Sequence, residues 1–497
     1  MPRSPDGATP PLSLDAGSRR PLYRQLVDGL REAVLSGRLA PGDRLASTRS
    51  FAEDLGLSRA TVVTAFEQLV AEGYLTSRRG AGTFVSRRIH PRAESDAAIH
   101  RVSRKASARP GLSRRGRTIA GLRPIWPPLG DAPRPFRLGV PALDAFPTRI
   151  FARLARRAWT DIPVVRLGGG DHLGDRSLRE AIAAHLRGSR GVRCDAGQVV
   201  VTSGTQEALR LSVELVSDPG DAVWIESPGY IGAHRALAAA GCIPIPVAVD
   251  DDGVRVEEGV AAAAEARAAY VTPSHQFPTA ATLSLPRRQA LLDWARTASV
   301  WIIEDDYDSE YGVSTHPPRA LQGLEPEAPV LYLGSFSKVL APALGLGFMV
   351  VPESLVDALA GARRALSGPP PEVSQAALAT FIAEGHYGRH VRRMRALYEE
   401  RREALVEALA QRVGGVASVR AVSGMHLVLR LESPDADAAA VARALRGQGV
   451  ESIPVDAFAD RPERPTELLL GYAGHPPEEL RKGASALAKV LAAPRRA

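Results

Sequence analysis

Val330-Leu-Tyr-Leu-Gly-Ser-Phe-Ser-Lys338 is a short apolar run that stops at a small-residue turn and then presents a single lysine. A run of this length bounded by Gly334 reads as a buried strand of a parallel sheet, and ligands of such sheets bind beyond the carboxyl ends of the strands. Lys338 is therefore expected at a ligand crevice. There, once partly desolvated, a lysine loses its proton and becomes an amine nucleophile able to form a Schiff base with a carbonyl. An ordinary surface lysine after a strand would have the same local sequence, so its neighbours must decide.

Two other strands end in chemistry. Gln198-Val-Val-Val-Thr202 runs into Ser203-Gly204-Thr205-Gln206, a small-residue turn that opens a helix, and free amides and hydroxyls at a helix amino terminus make a phosphate cradle. Val300-Trp-Ile-Ile303 reads as a second buried strand that ends in Glu304-Asp305-Asp306-Tyr307-Asp308. Carboxylates crowded at a sheet edge call for a cationic partner, which a protonated ring nitrogen would supply. A metal site or helix-capping cluster is the alternative; no histidine flanks the run at ligand spacing, which disfavours a metal. Ser335-x-x-Lys338 also fits the serine-nucleophile signature of penicillin-binding proteins, but the companion elements are missing.

Outside these strands the chain is ordinary globular material: 497 residues, 45% hydrophobic and 24% charged, enough for two or three domains. No window approaches a membrane span and the first fifteen residues lack a basic-then-apolar pattern, so neither membrane insertion nor export is expected. Cys194 and Cys242 alone fit a reducing cytoplasm. The net charge of +8 points to a polyanionic partner where the excess is localised.

It is localised near the amino end. Leu22, Leu26, Leu30 and Val34 repeat at helical spacing, Ser47 caps a second helix that stops at Gly56, and Ser58 caps a third whose Val62, Phe66, Leu69 and Val70 share one face. This is a helix-turn-helix. On the third helix Ser58, Arg59, Thr61, Thr64 and Gln68 suit contacts to base edges and phosphates in a major groove. Residues 74–85 then form two short strands around Gly80-Ala81-Gly82 with Arg78 and Arg79 beside the turn, a basic wing. A three-helix protein-interaction module would not need that wing. From 88 to 135 the composition shifts to Arg, Ser, Gly, Pro and Ala without apolar periodicity, and a basic flexible linker is expected. Arg101, Arg104, Lys105, Arg109, Arg114, Arg115, Arg117 and Arg123 would add phosphate attraction.

Residues 19–87 resemble the winged-helix domain of the GntR superfamily of bacterial regulators, on Gly42-Asp-Arg-Leu-Ala-Ser47, Leu55-Gly-Leu-Ser-Arg59, Glu72-Gly-Tyr-Leu75 and Gly80-Ala-Gly-Thr-Phe-Val85. The resemblance implies that Arg49, Ser58, Arg59, Thr61 and the Gly82 wing touch double-stranded operator DNA. Val63 replaces an arginine that contacts DNA in some relatives.

Residues 136–497 resemble fold-type I aminotransferases, mostly parallel α/β with a smaller carboxyl-terminal subdomain, and the whole chain resembles the MocR/GabR subfamily. Besides the three strand ends, the resemblance rests on Pro141-Ala-Leu-Asp-Ala-Phe-Pro147, Pro228-Gly-Tyr230, Pro273-Ser-His-Gln-Phe-Pro-Thr279, Glu384-Gly-His386 and Gly424-Met-His-Leu427. It implies pyridoxal 5'-phosphate as cofactor, with Lys338 as Schiff-base lysine, Asp305 at the ring nitrogen, Tyr307 at the ring hydroxyl and Tyr230 stacked on the ring. Ser203, Gly204, Thr205, Gln206, Ser335 and Ser337 would surround the phosphate, and His275 would line the pocket. A dimer sensing the cofactor, an amino acid or an amine is implied; an active aminotransferase with an appended DNA-binding module is the alternative.

Four departures argue for a weakened site. Gly345 stands seven residues after the lysine, where an arginine usually grips the phosphate. Gly169 replaces the partner subunit's aromatic, Phe277 an asparagine, and Leu469 the arginine that clamps an amino acid's carboxylate. Weak cofactor retention and little turnover of ordinary α-amino acids are expected, each lost bonding group removing roughly 1 to 3 kcal/mol.

Overall fold

The computed structural model describes residues 9–15, 17–88, 111–122, 134–312, 318–422, 424–460 and 466–493. They fall into two compact units, divided between Leu112 and Ser113.

The first unit has helices α1 (Leu22–Leu35), α2 (Thr48–Leu55) and α3 (Arg59–Ala71), followed by strands β1 (Leu75–Arg78) and β2 (Gly82–Val85). Local chemistry sets these boundaries. Ser47 Oγ accepts from the Ser50 amide, Ser58 Oγ from the Thr61 amide, and Gly56 closes α2 in the left-handed conformation, which a residue without Cβ adopts at no steric cost. Leu26, Leu30, Phe51, Val62, Phe66 and Leu69 pack into one core. Val70, expected on the buried face of α3, is 37% exposed; Ala65 takes the core position instead. β1 and β2 pair antiparallel, with Arg78 opposite Gly82.

Of the stretch read as a flexible linker, Arg101, Arg104, Lys105, Arg109 and Arg123 lie outside the described residues. Arg114, Arg115 and Arg117 sit on a helix, α4 (Arg114–Gly121), that apolar periodicity did not announce. Ser113 caps it through the Gly116 amide, and it packs on α6 (Ile231–Ala240), where Arg235 Nη2 donates to the Leu122 carbonyl at 3.1 Å. A side-chain cap and tertiary contact replace the missing apolar stripe.

The second unit is built on an eight-stranded sheet. In chain order its strands are β3 (Val199–Thr202), β4 (Ala222–Ser227), β5 (Ile243–Asp250), β6 (Gly253–Val254), β7 (Ala268–Val271), β8 (Trp301–Asp306), β9 (Val330–Ser335) and β10 (Gly347–Val350). The spatial order is β3-β10-β9-β8-β7-β4-β5-β6. β9, β8, β7, β4 and β5 are parallel; β10 runs antiparallel to β3 and β9, and β6 to β5. The strands are near-continuous apolar runs because helices cover both faces. Four strands, β11 (Ala417–Val422), β12 (His426–Leu431), β13 (Ile453–Pro454) and β14 (Glu467–Gly471), form a separate antiparallel sheet of the smaller subdomain in the order β11-β12-β14-β13. Among the described residues no helix is long and apolar enough to cross a membrane.

Candidate functional site

β8 does not stop at Ile303. It continues through Glu304, Asp305 and Asp306, all buried, because each carboxylate finds a partner that lies far off in the sequence. Glu304 accepts the Leu321 and Gln322 amides at 2.9 and 3.0 Å. Asp306 accepts Arg190 Nε at 2.7 Å and the Tyr332 hydroxyl at 2.6 Å. Asp305 is only half satisfied: Tyr270 donates its hydroxyl proton to Oδ2 at 2.8 Å, while Oδ1 is buried without a protein partner. Burial pushes the Asp305 carboxyl up to about 7 against the Tyr270 bond.

β9 ends at Ser335, which caps a four-residue helix, α7 (Phe336–Val339), carrying Lys338. Lys338 Nζ donates to the Gly139 carbonyl at 2.7 Å. Burial pulls its ammonium down to about 8, opposed by Asp308 and Asp305.

β3 leads into helix α5 (Thr205–Val216), whose amino-terminal position is Gly204. With φ +131 and Gly347 so close that a Cβ there would lie 2.8 Å from the Gly204 Cα, this turn admits glycine only, and no side chain caps the helix. Its first amides therefore face outward as an anion site. Ser203 is less available than its sequence suggested. Its amide and hydroxyl both donate to Glu207 Oε2, at 2.6 and 2.9 Å. Although burial opposes it, bonds from Ser367 and Ser203 hold the Glu207 carboxyl below its ordinary range, so a negative charge borders the cradle.

These three strand ends share one cavity of about 270 Å³. It is lined by Lys338, Asp305, Tyr307, Tyr230, Ser203, Gly204, Thr205, Gln206, Ser335 and Ser337, ten residues singled out in the sequence. Tyr307 Oη is buried with no protein partner. The Tyr230 hydroxyl is held by Gln206 Nε2 at 3.4 Å. His275 is not among the lining residues. Its Nδ1 pairs at 2.8 Å with buried Asp308, which, against burial, holds the imidazole above its ordinary pKa. His426, at the start of β12, lines the cavity instead, with Leu138, Gly139, Tyr270, Thr272, Phe277 and Met425. Gly424-Met-His-Leu427 was a visible motif, but nothing local said that His426 lines the cavity. Phe277 makes edge contacts to Tyr230, Tyr307, His426 and Phe458, with ring centroids 5.0 to 6.2 Å apart. Leu469 is fully buried beside it with Leu138, Val428 and Val455.

The donor set suits pyridoxal 5'-phosphate. Asp305 Oδ1 and Tyr307 Oη are buried polar atoms awaiting partners, the α5 amino terminus and serine hydroxyls accept an anion, and Lys338 is a desolvated amine between them. Among the described residues no arginine lines the cavity, and Gly345 is a left-handed residue (φ +56) with open space around it.

In the first unit, Arg49, Arg59, Thr64 and Arg79 are exposed. Arg49 is paired with Glu53 at 3.2 Å. Ser58 and Thr61 hydroxyls lie 2.8 Å apart, tied into the cap of α3, so their polar groups serve the helix first. Gln68 turns to Glu72 at 2.9 Å. At the wing Arg78 stacks on Phe84, 5.3 Å from the ring centre, and Gly82 (φ +107) packs beneath exposed Arg44, a cation that sequence reasoning had not placed there.

Comparison with known proteins agrees with both halves. Residues 22–85 match the model of bacterial regulatory proteins of the gntR family, and residues 164–487 that of aminotransferase class I and II. The chain is 39% identical to the probable rhizopine catabolism regulatory protein MocR of Rhizobium meliloti, covering 96% of this chain and 95% of that one. It is 31% identical to the HTH-type pyridoxine biosynthesis transcriptional regulator PdxR of Corynebacterium glutamicum, covering 95% and 96%. Among solved structures it resembles LysN, an α-aminoadipate aminotransferase from Thermus thermophilus complexed with N-(5'-phosphopyridoxyl)-L-leucine, at 27% identity and TM-score 0.65 over 72% of this chain and 91% of that one.

Proposed function

Because the chain belongs to the GntR-family regulators of the MocR type, which join a winged helix to an aminotransferase class I and II domain, we propose that it is a transcription regulator gated by pyridoxal 5'-phosphate. The winged helix binds double-stranded operator DNA; the cavity around Lys338 senses the cofactor, alone or with an amine or amino acid. One observation carries this reading: Lys338 shares its cavity with Asp305 Oδ1 and Tyr307 Oη, two buried polar atoms without protein partners.

When bound, the cofactor supplies an aldehyde carbon for the lysine amine and a ring that accepts electrons from a substrate amine. Asp305 would hold the proton at the ring nitrogen, Tyr307 would bond the ring oxygen, Tyr230 would cover a ring face, and the Gly204 turn with Ser335 and Ser337 would take the phosphate. Leu469 and its apolar neighbours leave a ligand carboxylate without a charge-assisted partner, which favours an amine over an α-amino acid as co-effector. The name of the pyridoxine-biosynthesis relative agrees with cofactor sensing. A coupling of about 1 to 3 kcal/mol between cavity and DNA affinity suffices for regulation. The protein acts in the cytoplasm as a homodimer paired through exposed Trp159, Val164, Val165 and Leu167, an apolar surface that a second copy would cover.

The test is operator binding by the full-length protein across salt and cofactor concentrations, alongside steady-state assays with an amino-acid panel and a keto acid. A salt-sensitive, sequence-selective complex that changes with the cofactor is expected. No such complex under any condition, or turnover near the typical 10 per second, would overturn the proposal.

A further inference from the structure

Lys338 is the third residue of a helix only four residues long. A single turn does not sustain itself, because fixing its dihedrals costs more than one hydrogen bond returns. At its end the Leu340 amide donates back to the Phe336 carbonyl at 2.8 Å. Its two ends are held from outside. At the start, Ser335 Oγ accepts the Ser337 amide at 3.1 Å. At the end, the carbonyl of Val339, next to the lysine, belongs to the last turn and lacks an amide further along the helix. Two side chains donate to it: Tyr311 Oη at 2.8 Å and His390 Nε2 at 3.0 Å. Tyr311 ends the short turn after β8, and His390 lies near the start of the long helix α8 (His386–Val413). Both are buried, and neither lines the cavity. Because it meets a carbonyl, His390 Nε2 must carry the ring proton. Tyr311 is itself fixed edge-on against Tyr398 of α8, with ring centroids 4.8 Å apart.

One donor would satisfy a buried carbonyl; two donors from separate elements hold it in one orientation. We infer that His390 and Tyr311 are positioning residues for Lys338: by clamping the Val339 carbonyl they fix the backbone of α7, and with it the direction in which Nζ enters the cavity. The inference rests on Lys338 as the cofactor-bearing lysine.

The experiment uses full-length protein loaded with pyridoxal 5'-phosphate and four variants: Tyr311→Phe, which removes only a hydroxyl, His390→Ala, His390→Gln and the double Tyr311→Phe/His390→Ala. Cofactor release and the pH midpoint of the near-visible absorbance are followed, with Tm as a control. Tyr311→Phe and His390→Ala are expected to release cofactor about tenfold faster and to move the midpoint. His390→Gln, which keeps an N–H donor, restores both, and the double variant is at least as fast as either single one. Wild-type release and midpoint in both single variants would overturn the inference, as would a folded His390→Gln that behaves like His390→Ala. Should wild-type protein show no near-visible band, the cofactor reading fails on its own. The clamp is then judged by the pH dependence of reductive methylation of Lys338 with formaldehyde and cyanoborohydride as hydride donor, read by mass spectrometry. The same two single substitutions must shift that midpoint, and an unchanged midpoint overturns the clamp.

Discussion

Tyr270 on β7 donates its hydroxyl proton to Asp305 Oδ2 on the neighbouring strand β8, across 2.8 Å, and leaves Oδ1 of the same carboxylate buried without a protein partner. Asp305 Oδ1 therefore needs a donor that the protein does not supply, and Tyr307 Oη likewise lacks a protein partner. An unfilled acceptor in a buried wall is an energetic liability until a ligand proton meets it.

That liability predicts a pH-dependent stability. Burial raises the Asp305 carboxyl to about 7, above its ordinary value, so the fold prefers the protonated form. The associated stability is full below the ordinary carboxylate range and is lost as pH rises through about 7. Asp305→Asn keeps an acceptor for Tyr270 and cannot ionise. Ligand-free Asn variant should exceed wild type by roughly 2 to 4 kcal/mol at pH 8 and match it near pH 4, in urea unfolding. Equal stabilities at both pH values would refute the strained carboxylate. The same variant should retain cofactor less well.

Lys338 gives the opposite-signed case. Burial depresses its ammonium to about 8, so the neutral form is favoured in the fold; the stability that this lends is present above the ordinary lysine pKa and lost as pH falls to about 8. Ligand-free Lys338→Met should then be more stable than wild type at pH 7, by roughly 1 to 3 kcal/mol given the lysine's partial access to solvent, and indistinguishable at the top of the titration. Loss of the near-visible band in the cofactor-treated variant is expected in the same sample.

Added positive charge should strengthen the anion cradle. Gly345→Arg has open space at the new Cβ but must adopt a left-handed backbone, costing about 1 kcal/mol, against roughly 1.5 to 3 kcal/mol for a charge-assisted bond to phosphate. Because the backbone cost falls equally on free and cofactor-bound protein, cofactor affinity should rise between about tenfold and 150-fold in equilibrium dialysis. Glu207→Gln, which removes the charge beside Ser203, should act in the same direction. Weaker binding in both variants would mean that the phosphate is held elsewhere.

At the winged helix, Arg59→Ala and Arg79→Ala should each weaken operator binding and reduce the slope of log K against log salt by about 1 where the lost contact is to phosphate. Fluorescence anisotropy between low and physiological salt measures both quantities. An unchanged slope together with relaxed sequence preference would assign that arginine to a base edge instead, and unchanged binding would remove it from the interface.

Much of this was legible from residues alone. Ser47, Gly56 and Ser58 mark helix ends because caps and left-handed glycines act within a few residues, and the run into Lys338 reads as a strand because length and composition suffice. The Ser203 turn and the acidic run after Ile303 were equally visible as candidates. What they touch was not. Tyr270 reaches Asp305 over 35 residues, and Tyr311 and His390 reach Val339 over 28 and 51. His275 went to Asp308 while His426 took the cavity wall. The sequence by itself determined the winged-helix elements and the three chemistry-bearing strands with the residues at their ends, since those depend on short-range backbone preferences and hydrophobic patterning, but not α4, whose helix rests on a cap and a tertiary contact. Only the tertiary structure decided which side chains meet Lys338, because the spatial order β10-β9-β8-β7-β4 brings together strands whose contacts are set by packing across the sheet and not by neighbourhood along the chain.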